Sequence, residues 1–574
     1  MNNTDVADAL SEIAELLELK DESSFRIRAY ENASKAVSNL NEDVQALIER
    51  DELTSVKGIG KSIAERVEDL VAQGHTAYLD DLRAEFPAGV RELMRIPGVG
   101  PSLARRAYQE LGVLNIEQLR AAAESGALAE LPRFGEKSAE NVIRALDRVR
   151  KRESRISLGK AMPVVEDLIA VLQECDAFQD LTAAGSLRRW APTIGDIDLM
   201  ATSSDPARAM EAFVGGPQVR QVLGQGLTKS SILTDNGLQV DLRIVEAEAF
   251  GSLVQHFTGS RDHNIELREY ALARGLSLNE YGITSTETRE IQAFSDEVSF
   301  YRALGLDYIP PELREAGGEI EAAGNGSLPT LVTVEDIRGD LHMHSDWSDG
   351  AASIDEMIQA AVDRGYEYVA LTDHSTTIGF GNGLSAEQLV EQGKLLEEVR
   401  KAHPEIKILT GTELEIKRDG SLDFPDEVLA SLDWVIASVH SGFNQTEEEM
   451  TRRVLMAIEN PHVDAIGHPT GRLIGRREPY ALDLEAVFRA AAKNHTALEI
   501  NSFPDRLDLA DRHARRAREL GVMLTINTDA HAPVNFENIR YGVAMARRAW
   551  AEPSNVLNTR SFDELRKWLS RAAP

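Results

Sequence analysis

The sequence predicts a multidomain chain of α and α/β class. A helical N-terminal region precedes a mixed-sheet domain, and a C-terminal barrel of alternating strands and helices closes the chain. Three observations predict this. Apolar residues recur at helical spacing through residues 1–150, broken by turns that contain glycine. From about residue 156 the runs IGDIDLMAT and LQVDLRIVE alternate as half-buried strands do. From residue 335 seven apolar runs follow, GDLHMH, YVALTDH, KILTGTE, WVIASVH, AIGHP, ALEIN and LTINTDAH, most of them separated by helical stretches. That alternation is the mark of a parallel α/β barrel.

Size and charge bound the function. The 574 residues suit about three or four domains, and an apolar share of 43% lets each bury a core. There are 62 Lys and Arg against 94 Asp and Glu, a formal charge of −32. This is the wrong sign for a surface that grips nucleic acid or anionic lipid along its whole length. Any nucleic acid must therefore be held by local features. Cys175 is the only cysteine, which excludes an intrachain disulfide and suggests a cytoplasmic protein. The start, MNNTDVADALSEIAELLELK, lacks a basic region and an apolar core, so no signal peptide is expected. No run of ~18 apolar residues predicts a membrane span.

Within the helical region a short pattern recurs: SVKGIGKSIAERV (55–67), RIPGVGPSLARRA (95–107) and LPRFGEKSAENVI (131–143). Each is an apolar lead, a glycine turn and a helix start. Gly58 and Gly60 in the first copy, and Gly98 and Gly100 in the second, permit a tight turn whose amides point outward at a helix N-terminus. Such a turn holds a phosphate without lysines. The third copy keeps only Gly135. A basic island follows, with Arg133, Lys137, Arg144, Arg148, Arg150, Lys151, Arg152, Arg155 and Lys160 in an otherwise acidic chain. It is expected to face phosphates.

In the mixed-sheet region Gly185-Ser186-Leu187-Arg188-Arg189 precedes Gly195-Asp196-Ile197-Asp198-Leu199. Alternate strand residues share a face, so Asp196 and Asp198 point together and call for a counter-charge. Mg²⁺ or Mn²⁺ with oxygen ligands supplies it. Asp241 sits on the next suitable strand. Three carboxylates holding two metals suit nucleotidyl transfer, and the Gly-Ser turn with Arg189 can cradle a triphosphate.

Ten of the 13 histidines lie after residue 331. His342, His344, His374, His440, His468 and His531 fall at or just past strand ends, together with Asp349, Asp373, Glu413 and Asp529. In a barrel such ends converge on one mouth. Imidazoles with carboxylates there suit Mn²⁺ or Zn²⁺. His403, His462, His495 and His513 fall in helices or turns and read as structural.

Two resemblances emerge from these residues. The glycine turns resemble helix-hairpin-helix motifs, which hold DNA backbones. With them, the Gly-Ser turn, the three aspartates, the segment His256–Asn264 (HFTGSRDHN) and Leu278–Gly282 (LNEYG) resemble family X DNA polymerases over about residues 1–315. The resemblance implies that Asp196, Asp198 and Asp241 hold the catalytic metals, and that Gly185, Ser186 and Arg189 hold the triphosphate. It places Phe257, Gly259 and Asn264 at the base and sugar, and Arg243 near the template. Two positions depart from animal members of the family. They carry tyrosine at His256, which leaves sugar discrimination open. They also carry a Schiff-base lysine at Arg66, and arginine stays protonated and cannot serve as that nucleophile. No deoxyribose-phosphate lyase activity is expected there.

The second resemblance covers about 335–570. The order His342-x-His344, Asp349-Gly350, Thr372-Asp373-His374, Glu413, Val439-His440, Gly467-His468-Pro469 and Asp529-Ala530-His531 is similar to the polymerase and histidinol phosphatase domain, PHP. By that pattern His342, His344, Asp349, His374, Glu413, His440, His468, Asp529 and His531 are ligands of a cluster of three metals, and Asp373 orients a ligand. Arg472 and Arg506 are candidates for gripping phosphate.

Together the resemblances imply residues 1–80 as an N-terminal helical domain with the first hairpin and 81–153 as a fingers-like helical domain with the second. Residues 154–258 form a nucleotidyltransferase palm, 259–315 a thumb-like domain, 316–334 a linker and 335–574 a PHP phosphoesterase built as a distorted (β/α)7 barrel. The function implied is gap-filling repair synthesis with 3′–5′ exonuclease activity and activity on apurinic sites or 3′-phosphates. The implied partners are gapped or nicked DNA and deoxynucleoside triphosphates, with no membrane and a monomeric chain. Two alternatives stay open: a PHP domain acting on a small phosphoester, or a non-catalytic scaffold that grips DNA ends.

Overall fold

The computed structural model describes residues 3–38, 40, 44–50, 52–94, 96, 99–131, 134–135, 139–143, 146, 155–376 and 383–571. Gly98 and all of the basic island except Arg155 and Lys160 lie outside them. Among the described residues no helix is long and apolar enough to cross a membrane.

The N-terminal region is a pack of short helices around one apolar core. Helix Lys61–Gln73 starts at Gly60 and ends at Gly74, whose φ of 78° closes the helix in the left-handed region. Helix Pro101–Leu111 starts at Gly100 with proline in its first turn, where a missing N–H costs nothing. Ile63, Ala64, Val67 and Leu70 bury the inner face of the first of these, as their spacing requires.

The middle region begins with β1 (Ile156–Ser157), β2 (Phe178–Ala183), β3 (Thr193–Ile194), β4 (Ile197–Ser203), β5 (Val219–Gly224), β6 (Lys229–Thr234) and β7 (Gln239–Val245). β1 and β3 form a small antiparallel pair, and the main sheet runs β2-β4-β7-β6-β5. Only β4 and β7 are parallel, which sets Asp198 directly beside Asp241. Next comes the antiparallel trio β8 (Leu276–Asn279), β9 (Gly282–Ser285) and β10 (Ile291–Gln292). At the β8–β9 turn Gly282 faces the Gln292 carbonyl so closely that a Cβ would lie 2.1 Å from its oxygen.

The last region carries β11 (Gly339–Met343), β12 (Tyr368–Leu371), β13 (Lys407–Glu415), β14 (Trp434–Ser438), β15 (Ala465–Ile466), β16 (Ala497–Asn501) and β17 (Leu524–Asn527). They pair in chain order and all in parallel. The barrel nearly closes where the His344 amide donates to the Ala530 carbonyl at 2.8 Å. β14 is buried at every residue, because one face meets the barrel interior and the other the surrounding helices. Capping boxes at Ser353, Ser385 and Thr446 fix helix starts around the barrel.

Residues 316–334, expected as a linker, are folded. Helix Glu319–Asn325 buries Ile320 and Ala323 with Leu331 in the core of the preceding domain. Glu319 is buried beside His263, whose Nδ1 lies 2.6 Å from its carboxylate. Proline, glycine and acidic residues suggested an open link, but Ile320, Ala322, Ala323, Leu331 and Val332 are buried, while Val334 stays exposed. The palm and the barrel also share one apolar cluster, from Leu158 to Val556. Trp190 meets Tyr541 edge to face at 5.9 Å, and Glu166 pairs with Arg540 at 2.7 Å.

Candidate functional site

The palm site forms where β4 and β7 run side by side. Asp198 lies in β4, Asp196 just before it, and Asp241 on β7. Burial, and then the charges of Asp196 and Asp241, push the Asp198 carboxyl up to about 6. Such crowding of negative charge suits a divalent cation. Asp241 already has partial compensation: Lys229 Nζ lies 2.8 Å from Oδ2 and Gln239 donates to Oδ1 at 3.0 Å. Burial raises its pKa, but these contacts outweigh burial and hold it below the usual range.

The turn Gly185–Arg188 sits beside Asp198. Gly185 has φ 62°, and a Cβ there would lie 3.0 Å from Asp198 Oδ2. Ser186 is half-buried in the turn and its carbonyl accepts from the Ala191 amide. Arg189 donates to Glu315 Oε1 at 3.0 Å and to the Thr258 carbonyl at 2.5 Å. Gly259 lets this guanidinium approach, since a Cβ there would come within 3.3 Å of it. Arg188 is tied elsewhere, to Thr258 Oγ1 and Glu297. Arg243 lies over the Phe257 ring at 4.4 Å. Asn264 is held at both ends, donating to the His256 carbonyl at 2.7 Å and accepting from Gln255 at 3.1 Å. It fixes the turn that carries His256 and Phe257. Burial, chiefly, lowers the pKa of the His256 imidazole below its ordinary value.

In the hairpins Gly58 has φ 96°, a conformation that favours glycine. No side chain caps the helices that begin after Gly60 and Gly100. Among the described residues this leaves the amides of Lys61, Ser62 and Ser102 without a competing side-chain cap, as a phosphate contact needs, whereas Ile63 and Leu103 donate to the Gly60 and Gly100 carbonyls. Arg66 binds Ser62 and stacks over Tyr78 at 4.3 Å. Lys57, beside the first hairpin, donates to the carbonyls of Asp346 and Ser348 in the barrel.

The barrel mouth gathers all nine residues of the predicted ligand set. Glu413 is the hub. Its carboxylate lies 2.9 Å from His374, 2.9 Å from His468, 3.2 Å from His440 and 3.3 Å from His342. Asp349 lies 3.2 Å from His531 and 3.4 Å from His374, and Asp529 lies 3.1 Å from His344. Three overlapping groups have donor atoms within 4.8 Å of one another: His344, Asp349, His374 and His531; His342, His344, Glu413 and Asp529; His374, Glu413 and His440. Among the described residues, buried His342 Nε2, His344 Nδ1 and Glu413 Oε2 find no hydrogen-bond partner. Buried polar atoms in that state fit a site that binds cations. Burial and the rings of His531 and His374 lower His344 to about 4, so its ring is neutral and able to ligate.

A supporting layer surrounds these groups. His342 Nδ1 meets Glu499 at 2.7 Å, and His440 Nδ1 meets Glu415 at 2.8 Å. Sequence reasoning missed both glutamates. A signal existed for each: a carboxylate flanked by apolar residues on a barrel strand faces inward. Asp373 accepts from the Ser345 amide, Ser345 Oγ, Ser348 Oγ and Gln392, and so orders the loop between His344 and Asp349. Arg472, expected as a phosphate grip, is turned inward instead: it donates to the carbonyls of Arg506 and Leu507. Arg506 faces the cluster, 3.7 Å from Asp529. His403 pairs with Asp355 at 2.8 Å and His495 ends a helix at φ 58°, both structural places.

Comparison with known proteins accords with both halves. Residues 1–76 match a helix-hairpin-helix domain, 90–148 a SAM-like helix-hairpin-helix tandem, 253–315 the DNA polymerase beta thumb, and 340–503 the PHP domain. The chain is 40% identical over 573 residues to the DNA polymerase/3′–5′ exonuclease PolX of Bacillus subtilis, covering 100% of both chains. The chain belongs to the family X DNA polymerases with a C-terminal PHP domain. Shorter relatives match only part of this polymerase. A probable phosphatase of Thermoanaerobacter sp. is 31% identical over 38% of this chain and 89% of its own. One of Acetivibrio thermocellus is 34% identical over 35% of this chain and 82% of its own.

Proposed function

We propose that this family X polymerase fills short gaps in DNA from its palm and trims 3′ ends from its PHP barrel. The observation that carries the reading is the presence of two separate, complete acidic sites in one chain. One is Asp196, Asp198 and Asp241; the other is the nine-residue mouth around Glu413. In the palm, Asp196, Asp198 and Asp241 would hold Mg²⁺ or Mn²⁺, which supplies activation of the primer 3′-hydroxyl and charge neutralisation at the leaving pyrophosphate. Around it Gly185 and Ser186 keep the turn close to Asp198, and Arg189 swings to the triphosphate. Phe257 offers its ring to the base and sugar, and Arg243 lies against that ring on the template side. Gly58, Gly60 and Gly100 present helix N-termini to the DNA backbone on either side of a gap.

In the barrel His342, His344, Asp349, His374, Glu413, His440, His468, Asp529 and His531 would hold Mn²⁺ or Zn²⁺. Those ions supply Lewis acidity and a nucleophilic water for phosphodiester hydrolysis. Glu499 and Glu415 fix the ring faces, Asp373 orders the loop that carries Asp349, and Arg506 offers positive charge toward the scissile phosphate. Primer extension and 3′ degradation on 5′-phosphorylated gapped DNA with Mg²⁺ or Mn²⁺ test the reading. Absence of both activities from metal-loaded protein would overturn it.

The relatives named as probable phosphatases favour a second use of the same barrel: release of a terminal phosphate from a damaged 3′ end. Phosphate release from a 3′-phosphorylated primer supports it. Hydrolysis of free phosphate esters alone points to a small-molecule substrate instead.

A further inference from the structure

We propose that Arg548, on the barrel helix Ile539–Arg548, is a positioning residue for the nucleotide-binding turn of the palm. The inference rests on the reading that Arg189 takes the triphosphate.

Arg548 Nη1 donates to the Arg189 backbone carbonyl at 2.7 Å and to Glu315 Oε1 at 2.9 Å. The same Glu315 oxygen accepts from Arg189 Nε at 3.0 Å. The other edge of Arg548 is fixed by Asp511 Oδ2, 2.7 Å from both Nε and Nη2. Only 7% of the Arg548 side chain and 13% of the Arg189 side chain is exposed. One carboxylate oxygen is thus shared by two largely buried guanidiniums, one from each half of the chain, while the Glu315 side chain itself is 36% exposed.

Sharing has a direct consequence. Hydrogen bonds between charged groups are the strong ones, and an acceptor that serves two donors holds each less tightly. With Arg548 in place, Glu315 parks Arg189 without locking it, and the triphosphate can compete for the guanidinium. The bond to the Arg189 carbonyl meanwhile pins the end of the turn that begins at Gly185. Without Arg548 both effects reverse. Glu315 closes on Arg189 alone, and the turn loses its donor. The palm aspartates are untouched, so nucleotide capture suffers while the chemical step does not. A catalytic half taken without its barrel lacks this residue.

Single-nucleotide gap filling by the full-length protein, with KM for the deoxynucleotide and kcat measured separately, tests the proposal. Arg548→Ala is expected to raise that KM roughly tenfold, about the worth of one charged hydrogen bond, with kcat within about twofold and 3′ trimming unchanged. Adding Glu315→Gln to Arg548→Ala is expected to restore most of the lost affinity, because a neutral amide oxygen holds Arg189 less tightly than a carboxylate does. A mere folding defect would not be repaired this way. Glu315→Gln alone is expected to lower the KM, and this variant carries the test if Arg548→Ala lowers the thermal midpoint of the chain. An unchanged KM in folded Arg548→Ala, or a raised KM in Glu315→Gln, overturns the proposal. Arg189→Ala separates it from its basis. A raised KM there with none in Arg548→Ala sinks the positioning role alone, whereas an unchanged KM in Arg189→Ala sinks the triphosphate reading itself.

Discussion

His342 Nδ1 lies 2.7 Å from Glu499 Oε1, and both side chains are fully buried. Glu499 also accepts from Asn527, Asn501 and the His468 amide. The imidazole therefore donates from Nδ1 and turns Nε2 toward Glu413 and Asp529. A carboxylate one step behind a histidine sets both its tautomer and its basicity. Glu499→Gln keeps the shape and removes the charge. It is expected to weaken metal binding about 10- to 100-fold, read by metal titration of chelator-stripped protein, with gap filling unchanged. Unaltered metal affinity would mean that packing alone orients His342.

The two acidic sites share no residue, so their activities are expected to separate. Asp196→Ala should cut primer extension by at least about a thousandfold and spare 3′ trimming, and His342→Ala should do the reverse. Loss of both activities in either folded variant would count against independent sites.

Asp198 carries a pH dependence. Its carboxyl stands near 6 in the folded chain, against 3.8 as its ordinary value. The folded state therefore holds this proton more tightly than the unfolded state does. Its contribution to the stability of the metal-free fold is present below about pH 4 and is lost as the pH rises through about 6. Metal binding needs the ionised form. Affinity of the palm for Mg²⁺ is expected to fall about tenfold per pH unit below 6, with proton release on binding. Calorimetric titration in two buffers at pH 5.5 checks it, and a pH-independent affinity would contradict it.

Gly60 and Gly100 have ordinary φ values, and nothing among the described residues lies within 4 Å of a Cβ built on either. Alanine there is expected to change stability by less than about 1 kcal/mol. A phosphate drawn against the bare backbone would still be pushed away. The double variant is expected to bind gapped DNA several-fold less tightly, in a fluorescence anisotropy titration at fixed salt. Equal affinity would place the DNA elsewhere.

Arg66 is held by Ser62 and by the Tyr78 ring, and it cannot form a Schiff base. Borohydride trapping with 5′-deoxyribose-phosphate DNA is expected to leave no adduct on the first hairpin domain. A trapped lysine in that domain, located by peptide mapping, would refute this.

Much of the architecture was legible because chemistry and periodicity coincide. Each apolar run from β11 to β17 carries a histidine, carboxylate or asparagine at or just past its end, so the same residues mark the strand and the mouth. Asp198 and Asp241 were legible as a pair because each lies inside an alternating run. Glu499 and Glu415 were legible only as inward-facing carboxylates between apolar neighbours, and their role behind a histidine shows only once the neighbour across the barrel is known. Arg548 was invisible for the same reason: its partners Arg189 and Glu315 lie more than 200 residues away in the chain. Residues 316–334 misled because Ile320, Ala323 and Leu331 are too few to form a periodic signal, yet each is buried. Arg472 misled because a guanidinium near an acidic mouth has two places to go, and backbone carbonyls took it.

The apolar cluster that runs from Leu158 to Val556 crosses from the palm into the barrel without a break. Synthesis and trimming would then ride on one folding unit rather than on two modules joined by a tether. A nick between them would strip cover from both, and heat would silence both together. Recombination could not lend out either half without first rebuilding the face it leaves behind.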